Sequence, residues 1–117
     1  MKQAILAILS TLALLVSSGV ARAQSASISP NNIHNGDFIT VTVVGLVPNK
    51  TYTMIVAGVS ENGTVANDKI EVQTDANGTA SWTEDINWGA DTYSTNVSVR
   101  EGTGQPANYA AGTLHVA

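Results

Sequence analysis

From Gln24 onward the chain alternates apolar and polar residues in short runs, and Gly, Asn, Asp or Pro interrupts those runs at intervals of roughly 8–12 residues. A period of two sends successive side chains to opposite faces of an extended strand, so each run offers one face to a core and the other to water. The clearest run is Asp37 to Gly45, where Ile39, Val41 and Val43 point one way and Phe38, Thr40, Thr42 and Val44 the other. Thr51 to Ala57 groups Tyr52, Met54 and Val56, and Asp68 to Thr74 groups Ile70 and Val72 against Lys69, Glu71 and Gln73. Ala80 and Trp82 share a face in the next run. Thr92 to Arg100 turns Tyr93, Thr95, Val97 and Val99 inward and Ser94, Asn96, Ser98 and Arg100 outward. With Ser25 to Ser29 at the start and Thr113 to Val116 at the end, the pattern predicts an all-β fold, a seven-stranded antiparallel sandwich of about the usual strand number. Pro48-Asn49, Asn62-Gly63 and Asn77-Gly78 supply the reversals, because these residues tolerate preset or left-handed backbone angles.

Residues 1–23 follow a different rule. Lys2, an apolar run from Ala4 to Val16 and the small residues of Ala21-Arg22-Ala23 have the layout of a cleaved signal peptide. The run is shorter than the roughly 20 residues that span hydrocarbon, which argues against a retained membrane helix. The expected mature chain is a single domain, residues 24–117, secreted to the extracellular space or the cell surface, with no membrane insertion after cleavage.

Composition narrows the chemistry. The sequence has no cysteine, so disulfides, thiolate metal sites and a cysteine nucleophile are excluded. Its formal charge is −4, and loss of Lys2 and Arg22 makes the remainder more acidic. Lys50, Lys69 and Arg100 are too few and too scattered to displace counterions from a polyanion, which argues against nucleic acid and an anionic membrane surface as partners. Catalysis needs a nucleophile or metal, a base and a charge stabiliser together. The only imidazoles are His34, in a turn-like stretch, and His115, an outward position on the last strand, and no Gly-x-Ser-x-Gly elbow occurs. The chain is expected to be no enzyme and to need no cofactor or metal.

The segments Ile28-Ser29-Pro30, Gly36-Asp37, Val41-Thr42-Val43, Gly45-Leu46, Pro48 and Tyr52, then Thr74-Asp75-Ala76-Asn77-Gly78-Thr79 and Asp91-Thr92-Tyr93, carry a family likeness. Together they resemble immunoglobulin-like (fibronectin type III-like) modules of prokaryotic surface proteins, over nearly all of residues 24–117. The resemblance implies a two-sheet sandwich and gives Tyr93 the place of a tyrosine corner, whose hydroxyl bonds to backbone upstream. The opening half also looks like the enediyne-binding apoproteins of the neocarzinostatin family, which share the Gly-Leu-x-Pro turn followed by Tyr. That family carries two disulfides, and none of its cysteines has a counterpart here.

Four constellations remain. Asp75-x-Asn77-Gly78-Thr79 has the opening of a calcium loop, but strands flank it and the later ligands are missing, so it reads as a hairpin turn. Glu84, Asp85 and Asp91 stand near Trp88, a grouping able to line a sugar subsite, although adjacent residues of a strand face opposite ways and Glu84 and Asp85 do not form one acid pair. Trp88 and Tyr109, aromatics in long connections, are the candidate ligand-contacting pair, with an aromatic lid on the sandwich as the alternative. Asn49, Asn62, Asn77 and Asn96 begin Asn-x-Ser/Thr sequons at exposed positions, candidate glycosylation sites.

The strands near the termini carry a further signal. Ser25 to Ser29 and Ala111 to Ala117 lack the lysine or proline that usually guards a sheet edge. Self-association or a protein partner is therefore expected through edge strands, including donation of Ser25 to Ser29 to a neighbour's sandwich in a filament. The sequence thus points to a non-catalytic structural or adhesive module, with a carbohydrate- or small-ligand-binding module as the alternative.

Overall fold

The computed structural model describes residues 24–117, and the export segment expected at residues 1–23 lies outside them. The described residues form strands β1 (Ser25–Ser29), β2 (Asn32–Ile33), β3 (Phe38–Val44), β4 (Thr51–Ser60), β5 (Val65–Gln73), β6 (Ala80–Asp85), β7 (Asp91–Arg100) and β8 (Ala107–Val116). They make two sheets, a three-stranded one in the order β1-β3-β6 and a five-stranded one in the order β2-β8-β7-β4-β5. No helix among the described residues is long and apolar enough to cross a membrane.

The inward positions expected on β3, β4 and β7 are the buried ones: Ile39, Val41 and Val43 face Tyr52, Met54, Val56, Tyr93, Val97 and Val99 across the sandwich core. Trp82 and Ile86 close one side, and Ile33, Leu114 and Val116 bring the chain ends into the same cluster. Each of these side chains contributes about 1.5–3 kcal/mol when withdrawn from water, so the core rather than any crosslink holds the sheets together.

Three features depart from the sequence reading at the two ends of the domain, and between them β4 runs on to Ser60 and β5 starts at Val65. Among the described residues the strands number eight, not seven. The extra one, β2, is two residues that pair parallel with the end of β8, so the sandwich is not wholly antiparallel. His115 N–H donates to Asn31 O at 2.9 Å and Ala117 N–H to Ile33 O at 2.8 Å, stitching the start of the domain to its end. A two-residue strand has no alternation to detect. Third, β8 begins at Ala107 rather than Thr113, because its pairing with β7 slips between Thr95 and Asn96. Gly112 stands opposite Thr95 and Ala110 opposite Asn96, leaving Ala111 as the extra residue of a bulge that breaks the period of two.

The turns are also tied to one another. Thr74, at 3% exposure, donates its hydroxyl to Val47 O at 2.6 Å and accepts from Lys50 N–H at 2.9 Å, which joins the β3–β4 turn to the end of β5. Asp75 Oδ1 accepts from Asn77 N–H at 2.8 Å and Thr79 N–H at 3.0 Å. The carboxylate thus serves the hairpin's own backbone, in keeping with a turn rather than a cation loop.

Candidate functional site

The polar chemistry of the interior collects where β6, the edge of the small sheet, runs beside β5, the edge of the large one. On β6 the period of two puts Trp82 and Glu84 on the inward face. Trp82 Nε1 donates to Glu84 Oε1 at 2.8 Å, while Glu84 Oε2 is buried with no hydrogen-bond partner so long as both neighbouring acids are ionised. On β5 the inward residue is Asp68, whose Oδ2 accepts from Trp88 Nε1 at 3.1 Å. Two indole N–H groups therefore each serve one carboxylate, and the two carboxyls face each other across the gap between sheets.

Trp88 reaches this place because β4 carries a glycine beneath it. A Cβ on Gly58 would stand 2.6 Å from Trp88 Cζ3 and 3.2 Å from Tyr93 Cβ. The Trp88 ring meets Tyr93 edge to face, with centroids 5.2 Å apart and planes at 69°. The Tyr93 hydroxyl donates toward two carbonyls just upstream, Trp88 O at 2.8 Å and Gly89 O at 2.9 Å, which fixes the β6–β7 connection. Burial pushes that hydroxyl's pKa up, and Asp91 adds to the shift.

Desolvation pushes the Glu84 carboxyl up to about 7, against the hydrogen bond from Trp82, which lowers it. Hydrogen bonding to Asp68 and the charges of Asp68 and Asp85 raise it further. A proton on Oε2, donated to Asp68, satisfies the otherwise orphaned oxygen and removes one of two facing negative charges. Glu84 thus keeps its proton until the pH approaches about 7. In the unfolded chain Glu84 releases it near 4.5. The folded state then binds more protons than the unfolded one between those values, so this group's contribution to stability falls as pH rises from about 4.5 to about 7 and stays low above that. Glu84 is half-buried, and screening by water keeps the effect below what the full shift would imply. Glu84→Gln keeps the acceptor for Trp82 and donates to Asp68 permanently. Its melting temperature should exceed that of the parent at pH 8, with the difference closing toward pH 4.5; an equal change at both pH values would contradict the shared proton.

The residues singled out in the sequence are dispersed. Tyr109 lies within β8, not in a connection; it stands opposite Val97, and its hydroxyl donates to Gln24 Oε1 at 2.7 Å. Trp88 lies near Tyr93, which pairs with Leu114 further along the same ladder, so the fold does not bring Trp88 and Tyr109 together. Asp91 turns to the neighbouring hairpin, accepting from Asn62 Nδ2 at 2.9 Å and from Thr92 N–H at 2.8 Å; the Thr92 N–H, then Asn62, holds its carboxyl below the usual range. Asp85 accepts from Asn87 Nδ2 at 2.7 Å. Asn49, Asn62 and Asn77 are exposed in turns, and Asn96 is exposed on β7. His34 Nδ1 lies 3.7 Å from Asp37 Oδ2, and His115 Nδ1 lies 3.2 Å from Thr92 Oγ1. Among the described residues no group of three or more His, Cys, Asp and Glu side chains is placed to hold a metal ion.

Sequence reasoning missed the Glu84–Asp68 pair. The signal was present in part: an acid two residues from Trp82 on an inward face, and Asp68 in phase with Ile70 and Val72. Neither position says that β5 and β6 meet at the edges of different sheets. Two clefts also line the surface, one of about 80 Å³ between Thr53, Ile55, Ser98, Arg100 and Pro106, the other of about 240 Å³ beside Ile33, His34 and His115.

No family model matches the chain, and no curated protein sequence matches it. Among solved structures it is similar to macromomycin, an apoprotein of the neocarzinostatin family, with a TM-score of 0.52 and 20% identity over 77% of this chain and 98% of that one. A chain of the structure titled "Structural basis of T cell specificity and activation by the bacterial superantigen toxic shock syndrome toxin-1" superposes with a TM-score of 0.44 and 12% identity, covering 80% of this chain and 98% of that one. The likeness to macromomycin is one of fold, a small all-β chain, and it agrees with the neocarzinostatin-like features of the sequence.

Proposed function

We propose that this chain is a secreted, non-catalytic, immunoglobulin-like module that works by surface contact with another macromolecule. The strand order supports the architectural part: β1, β3 and β6 against β8, β7 and β4 follow the A-B-E against G-F-C arrangement of such sandwiches. The observation that carries the functional part is the outer face of the three-stranded sheet. There Ser27, Thr42 and Ser81 form one cross-strand row and Ser29, Thr40 and Thr83 the next. The hydroxyls of β3 and β6 are linked in pairs, Thr40 to Thr83 at 3.4 Å and Thr42 to Ser81 at 3.3 Å, and Phe38, 64% exposed, stands at the end of the field. Apart from the Asp85 carboxylate opposite Phe38, the field is uncharged and open, a surface for contact.

Carbohydrate is the second reading, favoured by the same field, because neutral hydroxyls can exchange hydrogen bonds with a glycan laid across them. Strand donation is the filament form of the first: β1 would trade its five-residue pairing with β3 for the same pairing in a neighbour. The test is binding of immobilised residues 24–117 to a panel of matrix polysaccharides and purified surface proteins, with Thr42→Lys as the comparison. Saturable binding that Thr42→Lys weakens supports the reading. Turnover of glycoside or ester substrates that Glu84→Gln abolishes would overturn it, because the acid pair would then be acting on a substrate.

A further inference from the structure

β5 ends the five-stranded sheet, and its backbone has a definable polarity. Thr74 N–H donates to Lys50 O at 2.9 Å and Ser60 N–H to Thr64 O at 2.8 Å, one step beyond either end of a register that runs from Thr51↔Gln73 to Val59↔Val65. Hydrogen-bonded and non-bonded pairs alternate along an antiparallel ladder, so the even-numbered residues of β5 bond to β4. The odd-numbered ones turn N–H and C=O away from it. The same odd positions carry the exposed side chains Asn67, Lys69, Glu71 and Gln73, while Ala66, Asp68, Ile70 and Val72 are half-buried toward the other sheet.

A second copy related by a two-fold axis can dock on such an edge only in registers that set odd residues opposite odd ones. Centring the axis on Lys69 opposes lysine to lysine, and centring it on Glu71 opposes glutamate to glutamate. Centring it on Ile70 opposes Lys69 to Glu71 twice over and Asn67 to Gln73 twice over. That register also lays the half-buried Ile70 of one copy against its counterpart. Lysine on an edge strand ordinarily repels a visiting strand. Here a glutamate two residues further on the same face makes the edge complementary to itself, as an isologous interface requires.

We propose that two copies of this chain pair antiparallel through β5, in the register that sets Lys69 of each opposite Glu71 of the other, extending the two five-stranded sheets into one. The inference deepens the surface-contact reading, and names a second copy of the chain as one of its partners.

Sedimentation velocity of residues 24–117 over a concentration series tests it on the parent, Lys69→Glu, Glu71→Lys and the double exchange Lys69→Glu with Glu71→Lys. Both side chains are exposed, so each variant should keep the parent's circular dichroism spectrum. The parent should dimerise, and added salt should weaken the dimer. Each single exchange places like charges opposite each other twice and should weaken association at least tenfold, and the double exchange should recover most of it. A parent that stays monomeric up to the highest concentration overturns the proposal while leaving binding to other macromolecules intact. So does a dimer indifferent to all three variants, which would be the mark of exchange through β1.

Discussion

Gly78→Ala should lower stability by about 3 kcal/mol or more, read as a melting temperature at least about 12 °C lower. Two effects add. Gly78 has φ +78°, a left-handed conformation that an L side chain adopts at a cost of roughly 1 kcal/mol. A Cβ there would also press on the Leu46 carbonyl oxygen, which belongs to the backbone of the β3–β4 turn and cannot swing away. The two turns are already fastened at this point, since Leu46 N–H donates to Gly78 O at 3.0 Å and Asn49 N–H to Asp75 O at 3.1 Å. Gly63→Ala is the control. Its φ is +87°, but nothing lies within 4 Å of the added carbon, so it should show the backbone strain of roughly 1 kcal/mol alone. Urea denaturation of the two variants separates the terms; equal losses would mean that the turns are not in contact as described.

Gly58→Ala should cost about 2–4 kcal/mol and dismantle the acid pair's surroundings without touching an acid. The added carbon takes the space of the Trp88 ring, and Tyr93 Cβ blocks retreat on the other side. Trp88 must then swing toward water, giving up its edge-to-face contact with Tyr93 and its hydrogen bond to Asp68. Its fluorescence should shift to the red, and its indole N–H resonance should move while that of Trp82 stays near place. With Asp68 released to solvent, the pH dependence of stability attributed to Glu84 should flatten. A variant that keeps the parent's emission and indole spectrum would contradict the packing of Trp88 over β4.

The sequence carried most of what depends on a single strand. On β3 and β7 the period of two identified every buried residue, because each strand's two faces meet different media along its whole length. It failed where that condition lapses. β2 is too short to have a period, and the bulge at Ala111 inverts the phase of β8, so Ala107 to Gly112 read as a loop and Tyr109 with it. The alternation of β5 is legible only from Asp68 onward, since Val65, 65% exposed, breaks the inside-outside rule at its start. The candidate site was less legible still. Glu84 and Asp68 belong to edges of different sheets, and which edges adjoin is a property of topology, not of local pattern. The self-complementary charges of β5 were visible as letters, but their meaning needed to be known at an edge, with the odd residues facing out.

Amide hydrogen exchange, followed residue by residue at a low and a high protein concentration, is the sharpest check on the claim that two copies of this sandwich pair through β5. The Lys69 and Glu71 amides should gain protection at high concentration and lose it on dilution. The Asp68 and Ile70 amides, bonded to β4, should be protected at both, and the region around Glu84 and Trp88 should not change. Lys69 and Glu71 amides that exchange equally fast at every concentration, or protection gained only around Glu84, would contradict it.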